Sequence, residues 1–129
     1  MKGTLSVKEY FLSGIENNSL NAELKPIMYD AVTKQMKNYG NIDIIEEGTS
    51  KDTLSLDIKN YSRKEDAYDA SGNILSYSYS LLVDYTASAK KMNISVLKVF
   101  DSKLTESECK DSIVNESVKA FIDKLRGDF

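Results

Sequence analysis

Few residues of this 129-residue chain have side chains suited to catalysis. The chain contains no histidine, which excludes serine–histidine and cysteine–histidine catalysis and histidine-ligated metal centres. Its one cysteine, Cys109, falls in the first turn of a predicted helix, where the helix dipole favours a thiolate. The neighbouring acidic residues Glu106, Glu108 and Asp111 oppose that effect. We therefore predict an incidental cysteine and no catalytic residue.

Two groups of acidic residues could bind a proton or a metal ion. Glu46-Glu47 could act as an acid–base pair, although two solvated charges after a strand are the simpler interpretation. The segment beginning at Asp66 superficially resembles a calcium loop. An EF-hand requires glutamate at its twelfth position, which is occupied here by Tyr77. Residues 69–73 therefore predict a turn, and we expect no metal and no cofactor.

Basic residues are balanced by acidic ones over the whole chain. The 17 basic and 20 acidic side chains give a net charge of -3 and are well mixed, without the basic stripe typical of nucleic-acid binding. Four basic residues nevertheless flank two predicted turns. Solvated side chains are the ordinary interpretation, and a phosphate-bearing ligand is the alternative. These candidate ligand-binding residues are Arg63, Lys64, Lys90 and Lys91.

Two helices are predicted from apolar side chains that recur every three or four residues. The first spans about residues 23–39, with Asn21 as its N-cap and Gly40 in a left-handed C-terminal cap. The second spans about residues 105–126. It begins with the sequence Thr105-Glu106-Ser107-Glu108, which matches a capping box.

Five stretches are predicted as strands because polar and apolar residues alternate or cluster in them. In chain order they are 4–12, 42–45, 53–62, 74–89 and 92–100. Residues 13–19 and 63–73 are predicted to be polar connections. The buried side of the last strand is not fixed by the sequence, because Leu97, Val99 and Phe100 interrupt its alternation.

The fourth predicted strand carries the strongest alternation in the chain. Its tyrosines occupy one side, and we expect them to pack against the helices, although tyrosine is also enriched at binding surfaces. Serines occupy the other side, which is either wet or lies against a partner, since small hydroxyl side chains allow close approach. The candidate partner interface comprises this serine row and one nearby aromatic residue: Tyr68, Ser76, Ser78 and Ser80.

The order of the elements predicts an α+β fold. A run of antiparallel strands with a helix at each end favours a two-layer sandwich in which two helices pack on one face of the sheet. We expect a mostly antiparallel sheet of four to five strands within a single domain covering residues 1–129. The first strand, first helix and second strand are expected to form a right-handed parallel crossover.

The pattern resembles a known family, the lipopolysaccharide-assembly lipoproteins called LptE. The matching features are the strand Thr53–Tyr61, the loop residues Tyr68-Asp69-Ala70-Ser71-Gly72, the long strand Tyr77–Tyr85 and the closing helix. The early strand, helix and Ile42–Ile45 strand also match in order. The resemblance covers roughly residues 5–126.

This resemblance implies a non-enzymatic, lipid-anchored protein on the periplasmic face of the outer membrane. It implies a plug and chaperone for the β-barrel LptD that assists lipopolysaccharide assembly and binds lipopolysaccharide through basic residues. A signal peptide and a lipid-bearing cysteine would then precede this trimmed, soluble form in the native protein, and residues 1–3 would not be native.

Two other interpretations remain open at the level of sequence. One is a different small envelope lipoprotein domain that scaffolds or regulates a periplasmic enzyme or a secretion complex. The other is a cytosolic enzyme, which the lack of a recognisable site disfavours. The first codons of the native gene separate the lipoprotein hypotheses from the cytosolic one, because they either encode a lipoprotein signal peptide or do not.

Overall fold

A computed structural model describes residues 8–48 and 50–127, which form five strands and two helices. The predicted residues 4–7 of the first strand lie outside the described residues. In chain order the elements are β1 (Glu9–Asn17), α1 (Leu24–Asn38), β2 (Asp43–Ile45), β3 (Thr53–Tyr68), β4 (Ile74–Ala87), β5 (Lys90–Asp101) and α2 (Glu106–Arg126).

The strands form one mixed sheet in the order β2-β1-β3-β4-β5. β1 pairs in parallel with both β2 and β3. β3 and β4 form a long antiparallel hairpin, and β4 and β5 a second one. The predicted antiparallel run therefore holds for β3 to β5, whereas both pairs made by β1 are parallel. The expected parallel arrangement of β1 and β2 around α1 is confirmed.

Both helices pack on one face of the sheet, which confirms the α+β two-layer sandwich. Tyr85 of β4 shows this directly. Its ring is stacked on Phe121 of α2, with centroids 4.3 Å apart. Its hydroxyl lies 2.8 Å from Ser117 Oγ of α2 and 3.9 Å from the sulfur of Met28 in α1. One side chain of the sheet thus touches both helices in a fully buried position.

The strands are longer than the sequence indicates at two places. β1 continues to Asn17, through residues predicted as a polar loop, and a bulge between Leu12 and Gly14 shifts its register with β3. β3 continues to Tyr68, although residues 63–68 were predicted to be a connection. Their charged side chains mark an exposed part of a strand, not the absence of one.

The capping residues predicted from the sequence are confirmed for α2 but not for α1. Thr105 accepts a hydrogen bond from the Glu108 N–H and its own N–H donates to Glu108, which confirms the capping box. The predicted N-cap of α1 is wrong: Glu23 holds that position and makes no side-chain capping bond. Asn21 contributes only its backbone carbonyl, which accepts from the Leu24 N–H.

A glycine is needed at position 40 because a side chain would not fit there, and not because the backbone is left-handed. The positive φ that ends α1 belongs to Asn41, at 55°, so the predicted glycine cap is wrong. A Cβ on Gly40 would lie 2.9 Å from the Met36 carbonyl oxygen and 3.4 Å from Cγ2 of Ile122. The glycine therefore lets the end of α1 approach α2 closely.

We predict that Gly40→Ala lowers the free energy of unfolding by roughly 1–3 kcal/mol, because the added methyl group would overlap a backbone oxygen that cannot rotate away. Gly14→Ala is the matched control, since a Cβ there meets nothing within 4 Å. Urea denaturation followed by circular dichroism measures both. Equal stability of the two variants would contradict the proposed close approach.

Candidate functional site

One face of the sheet carries no helix, and side chains of β3, β4 and β5 meet there in rows. Lys64 lies opposite Ser78, which lies opposite Val99. The next row consists of Ser62, Ser80 and Leu97. We use the name helix-free face for these residues together with the neighbouring serine of β4: Ser62, Lys64, Ser76, Ser78, Ser80, Leu97 and Val99.

The helix-free face combines small hydroxyl groups with two exposed apolar side chains. Leu97 is 72% exposed and Val99 is 53% exposed. The Ser62 and Ser80 hydroxyls are hydrogen-bonded to each other across the strands. Ser76 Oγ donates to Asp66 Oδ2 at 2.9 Å. Because most of the hydroxyl groups bond within the sheet, the face is smooth and its leucine and valine project from it.

Sequence reasoning found the serines of this face but missed Leu97 and Val99. The missing signal was the spacing: Met92, Ile94 and Phe100 of β5 are buried at even positions. The odd positions therefore point away from the helices. Leu97 and Val99 at odd positions are apolar, and Lys98 at an even position is charged, which hid the alternation in the sequence.

The other side of the same hairpin holds an arginine between tyrosines. The guanidinium carbon of Arg63 lies 3.6 Å from the centroid of the Tyr77 ring. Its Nε donates a hydrogen bond to Tyr79 Oη at 2.9 Å. Burial raises the pKa of the Tyr79 hydroxyl, so the tyrosine stays neutral and serves as the acceptor. These two contacts hold the exposed Arg63 side chain against Tyr77 and Tyr79.

A charged group next to this arginine connects the sheet to both helices. Lys110 of α2 is nearly buried, and its Nζ lies 2.8 Å from Glu23 Oε2 and 3.6 Å from Glu106 Oε2. Tyr61 Oη donates to Glu106 at 3.0 Å. Burial and this bond to a carboxylate raise the pKa of Tyr61 strongly. These charges and the Tyr61 hydroxyl are paired with one another, so the group joins β3 to α2 and to the residue before α1 and does not form a free binding site.

The opposite end of the hairpin has a different polar arrangement. Asp57 and Asp84 face each other across β3 and β4, where two like charges would repel. Asn93 donates to Asp84 at 2.7 Å and Lys91 lies 3.5 Å from the same carboxylate. Lys59 and Asn18 bond to Asp57, and the bond from Lys59 is the main cause of its lowered pKa. These partners compensate the repulsion beside a cleft of about 350 Å³.

The four predicted basic residues do not form one cluster. Arg63 lies opposite Tyr79 on β4, and Lys91 lies opposite Thr86. At roughly 3.4 Å per residue, these two positions are about 24 Å apart along the strand. Lys64 follows Arg63 on the other face of β3, and Lys90 precedes Lys91 at the end of β5. The structure therefore separates the two pairs: Arg63 and Lys64 lie within β3, and Lys90 and Lys91 lie at the start of β5.

The predicted partner residues are closer together. Ser76, Ser78 and Ser80 follow one another on the helix-free face. Tyr68 lies at the end of β3, opposite Ile74, and is 54% exposed, and its hydroxyl donates to Glu65. Of the tyrosines, Tyr79 and Tyr85 are buried against the helices, as their alternation predicted.

The other residues that the sequence suggested for chemistry are buried or are hydrogen-bonded to neighbouring residues. Cys109 is buried. Glu46 accepts a hydrogen bond from Tyr29 Oη at 2.7 Å. Asp69 accepts from the N–H groups of Ser71 and Asn73, which confirms the predicted turn. Among residues 8–48 and 50–127, no three histidine, cysteine, aspartate or glutamate side chains are grouped to hold a metal ion. In the same part of the chain, neither helix is long and apolar enough to cross a membrane.

Comparisons with known proteins identify the fold. No protein-family model and no curated protein matches the chain. Among solved structures, PelC from Paraburkholderia phytofirmans, described as a dodecamer, is similar with a TM-score of 0.58 at 8% identity, covering 92% of this chain and 95% of that chain. Lipoprotein B from Nitrosomonas europaea has a TM-score of 0.57 at 11% identity, covering 95% and 84%. A minor lipoprotein from Acinetobacter baumannii has a TM-score of 0.51 at 10% identity, covering 96% and 94%. The chain thus has a fold that solved bacterial lipoproteins also have.

We predict that Arg63→Ala lowers the free energy of unfolding by about 1 kcal/mol, because it removes the stacking on Tyr77 and the bond to Tyr79. Lys64→Ala is the control from the adjacent position on the other face, and it should change stability by less than about 0.5 kcal/mol. Thermal and urea denaturation of both variants test this. A loss in Lys64→Ala as large as in Arg63→Ala would contradict the assigned role.

Proposed function

We propose that this chain is the soluble domain of a lipid-anchored envelope protein that supports a β-barrel of the outer membrane in lipopolysaccharide assembly. The observation that carries the proposal is the helix-free face. It belongs to a fold found in bacterial lipoproteins, and it presents exposed Leu97 and Val99 beside a row of serines.

The shape of the helix-free face suits the inner wall of a barrel. A sheet face with small side chains can approach another sheet closely, and stacked sheets lie roughly 10 Å apart. Leu97 and Val99 would supply apolar contact area on docking. The helices cover the other side of the sheet, so a partner that docks on the helix-free face would leave the hydrophobic core undisturbed.

The basic pair Arg63 and Lys64 in β3 suits the phosphate groups of lipopolysaccharide. Arg63 and Lys64 emerge on opposite faces of β3 at neighbouring positions, so they can contact phosphates on both sides of the strand. The guanidinium of Arg63 is already fixed by Tyr77 and Tyr79. The two lysines at the start of β5, Lys90 and Lys91, are expected to contribute less because Lys91 already faces Asp84.

The alternative is an envelope lipoprotein that scaffolds or regulates a periplasmic enzyme or a secretion complex. The likeness to a dodecameric protein favours an assembly role of this kind. Both functions would use the same exposed face, so the fold is compatible with either of them. The two functions are distinguished by which partner protein is captured with this chain.

The partner test uses the full-length protein expressed from its native gene, tagged and purified from cross-linked membranes. We expect the unmodified protein to recover a large β-barrel. The double variant Ser78→Lys/Leu97→Lys should lose most of that recovery, because two added side chains block close approach of the face. Leu20→Lys is the matched control: Leu20 is a fully exposed leucine outside the helix-free face.

The partner test has two outcomes that contradict the barrel proposal. One is the absence of a barrel in the unmodified sample when the tagged protein itself is recovered. The other is recovery of a secretin or a peptidoglycan synthase instead, which would establish the alternative function.

The ligand test compares charge reversals in the two basic pairs. Arg63→Glu/Lys64→Glu should weaken binding of fluorescent lipopolysaccharide at least tenfold, because two phosphate-facing cations become anions. Lys90→Glu/Lys91→Glu carries the same change in net charge and should weaken binding less than threefold. Circular dichroism checks that both variants are folded. Unchanged binding in the first variant would remove Arg63 and Lys64 from the site, and equal losses would indicate a non-specific charge effect.

A further inference from the structure

The outer edge of β5 is long and regular. β5 is the last strand of the sheet and pairs only with β4 within the part of the chain that the structure describes. That pairing runs from Ser76 opposite Asp101 to Ala87 opposite Lys90 without a bulge. The strand contains neither proline nor glycine. Its free edge therefore offers a straight row of backbone N–H and C=O groups, which is the template on which another strand pairs.

The usual protection of such an edge is weak here. Lysine side chains discourage pairing when they point into the approach of another strand. Lys90 and Lys91 lie at the very end of β5, and Lys98 is turned to α2, where its Nζ is 3.0 Å from Glu116 Oε2. The middle of the strand carries Val96 and the exposed Leu97. At the opposite edge of the sheet, β2 is only three residues long.

We propose that a second copy of this chain pairs with β5 along this edge, in the antiparallel direction, and joins two five-stranded sheets into one. Antiparallel pairing of a strand with its own copy places a twofold axis perpendicular to the sheet. Both pairs of helices then lie on the same face of the joined sheet. In an antiparallel pair, two residues that lie directly opposite each other point to the same face of the sheet. One residue of β5 must therefore lie opposite its own copy, so the twofold axis is centred on a residue and not between two residues.

The charges of β5 select one register. With the axis at Val96, Lys91 lies opposite Asp101 of the second copy, and the symmetry makes this ion pair twice. With the axis at Ser95, Lys91 faces Val99 instead. With the axis at Leu97, Lys91 falls opposite residue 103, which lies beyond the end of β5 and is not a cross-strand partner. Opposite-charge pairs across strands stabilise a sheet and like-charge pairs destabilise it, so the register centred on Val96 is favoured.

Other positions agree with the register centred on Val96. On the side of the helices, Met92 lies opposite Phe100 of the second copy, and Ile94 lies opposite Lys98, whose ammonium group is paired with Glu116 of its own chain. On the other side, Ser95 lies opposite Leu97. The Lys91 side chain is 67% exposed and its pair with Asp84 is loose at 3.5 Å, so its ammonium group can also reach a second carboxylate.

This inference goes beyond the proposed function and does not depend on it. The seam uses β5 alone and leaves Arg63 and Lys64, on the far side of β4, open to ligand. Asp101 and Lys91 do not belong to the helix-free face, and Ser78 lies on β4 outside the seam. Loss of dimerisation in the Asp101 and Lys91 variants is therefore distinguishable from loss of the barrel contact at Ser78.

Analytical ultracentrifugation of the chain over a range of concentrations tests the pairing. We expect a reversible monomer–dimer equilibrium with no larger species, because the twofold contact closes on itself. Asp101→Lys alone places two lysines opposite each other, and Lys91→Glu alone places two carboxylates opposite each other. Each should weaken dimerisation at least tenfold. An equimolar mixture of the two variants should restore it, since both cross-strand pairs are then of opposite charge.

A monomer at all concentrations overturns the proposal, and so does a dimer that the single variants leave unchanged. Failure of the mixture to associate also overturns it, provided that both variants are folded by circular dichroism. Because Lys91→Glu adds a carboxylate near Asp84 and could unfold the chain, hydrogen exchange of the unmodified protein is the second measurement. The amides of β5 should become protected as concentration rises, and concentration-independent exchange, or binding only of an extended peptide from another protein, would contradict self-pairing.

Discussion

The contact on which the architecture depends is that of Tyr85 with both helices. Its ring lies flat on Phe121, with an angle of 8° between the planes. Its hydroxyl bonds to Ser117 and also contacts Met28, so a single side chain of β4 joins the sheet to α1 and α2. A buried hydroxyl must be satisfied, and a partner on a helix makes the position of that helix specific as well as favourable. Burial accordingly raises the pKa of Tyr85 strongly.

Fixing one residue of β4 fixes the direction of every other residue along it. Since side chains alternate in a strand, burial of Tyr85 and Tyr79 forces the serines to the opposite face. The same alternation, transmitted by the unbroken register with β5, buries Phe100 and exposes Leu97 and Val99. The helix-free face is thus a consequence of how the core is packed, and its composition of serine, leucine and valine is what distinguishes it from an ordinary wet surface.

The sequence predicted the elements in which polar and apolar residues recur regularly. It failed to predict the strand bounds where a bulge shifts that regular pattern. α2, the alternation of β4 and the two-layer arrangement followed from spacing alone. The bulge of β1 lies at Gly14, and a glycine followed by polar residues was interpreted as a loop. The two bulges near the end of β3 fall among charged residues, so both strands were predicted to end too early. The two faces of β5 could not be assigned from its sequence, because the apolar Leu97 and Val99 lie on the exposed face and the charged Lys98 lies on the other. The position of Arg63 on Tyr77 depends on the register of β3 with β4, which no local pattern specifies.

That register also separates basic residues that look equivalent in the sequence. The bulge at Ile58/Asn60 shifts the alternation of β3, so Arg63 turns toward the tyrosines and Lys64 toward the serines. Held against an aromatic ring and by Tyr79, the guanidinium has already lost most of its conformational freedom, and less entropy remains to be lost when it meets an anion. An exposed lysine such as Lys90 loses that freedom only on binding. Preorganisation, and not the number of positive charges, is therefore the reason why the proposed phosphate contact is assigned to Arg63 and not to Lys90.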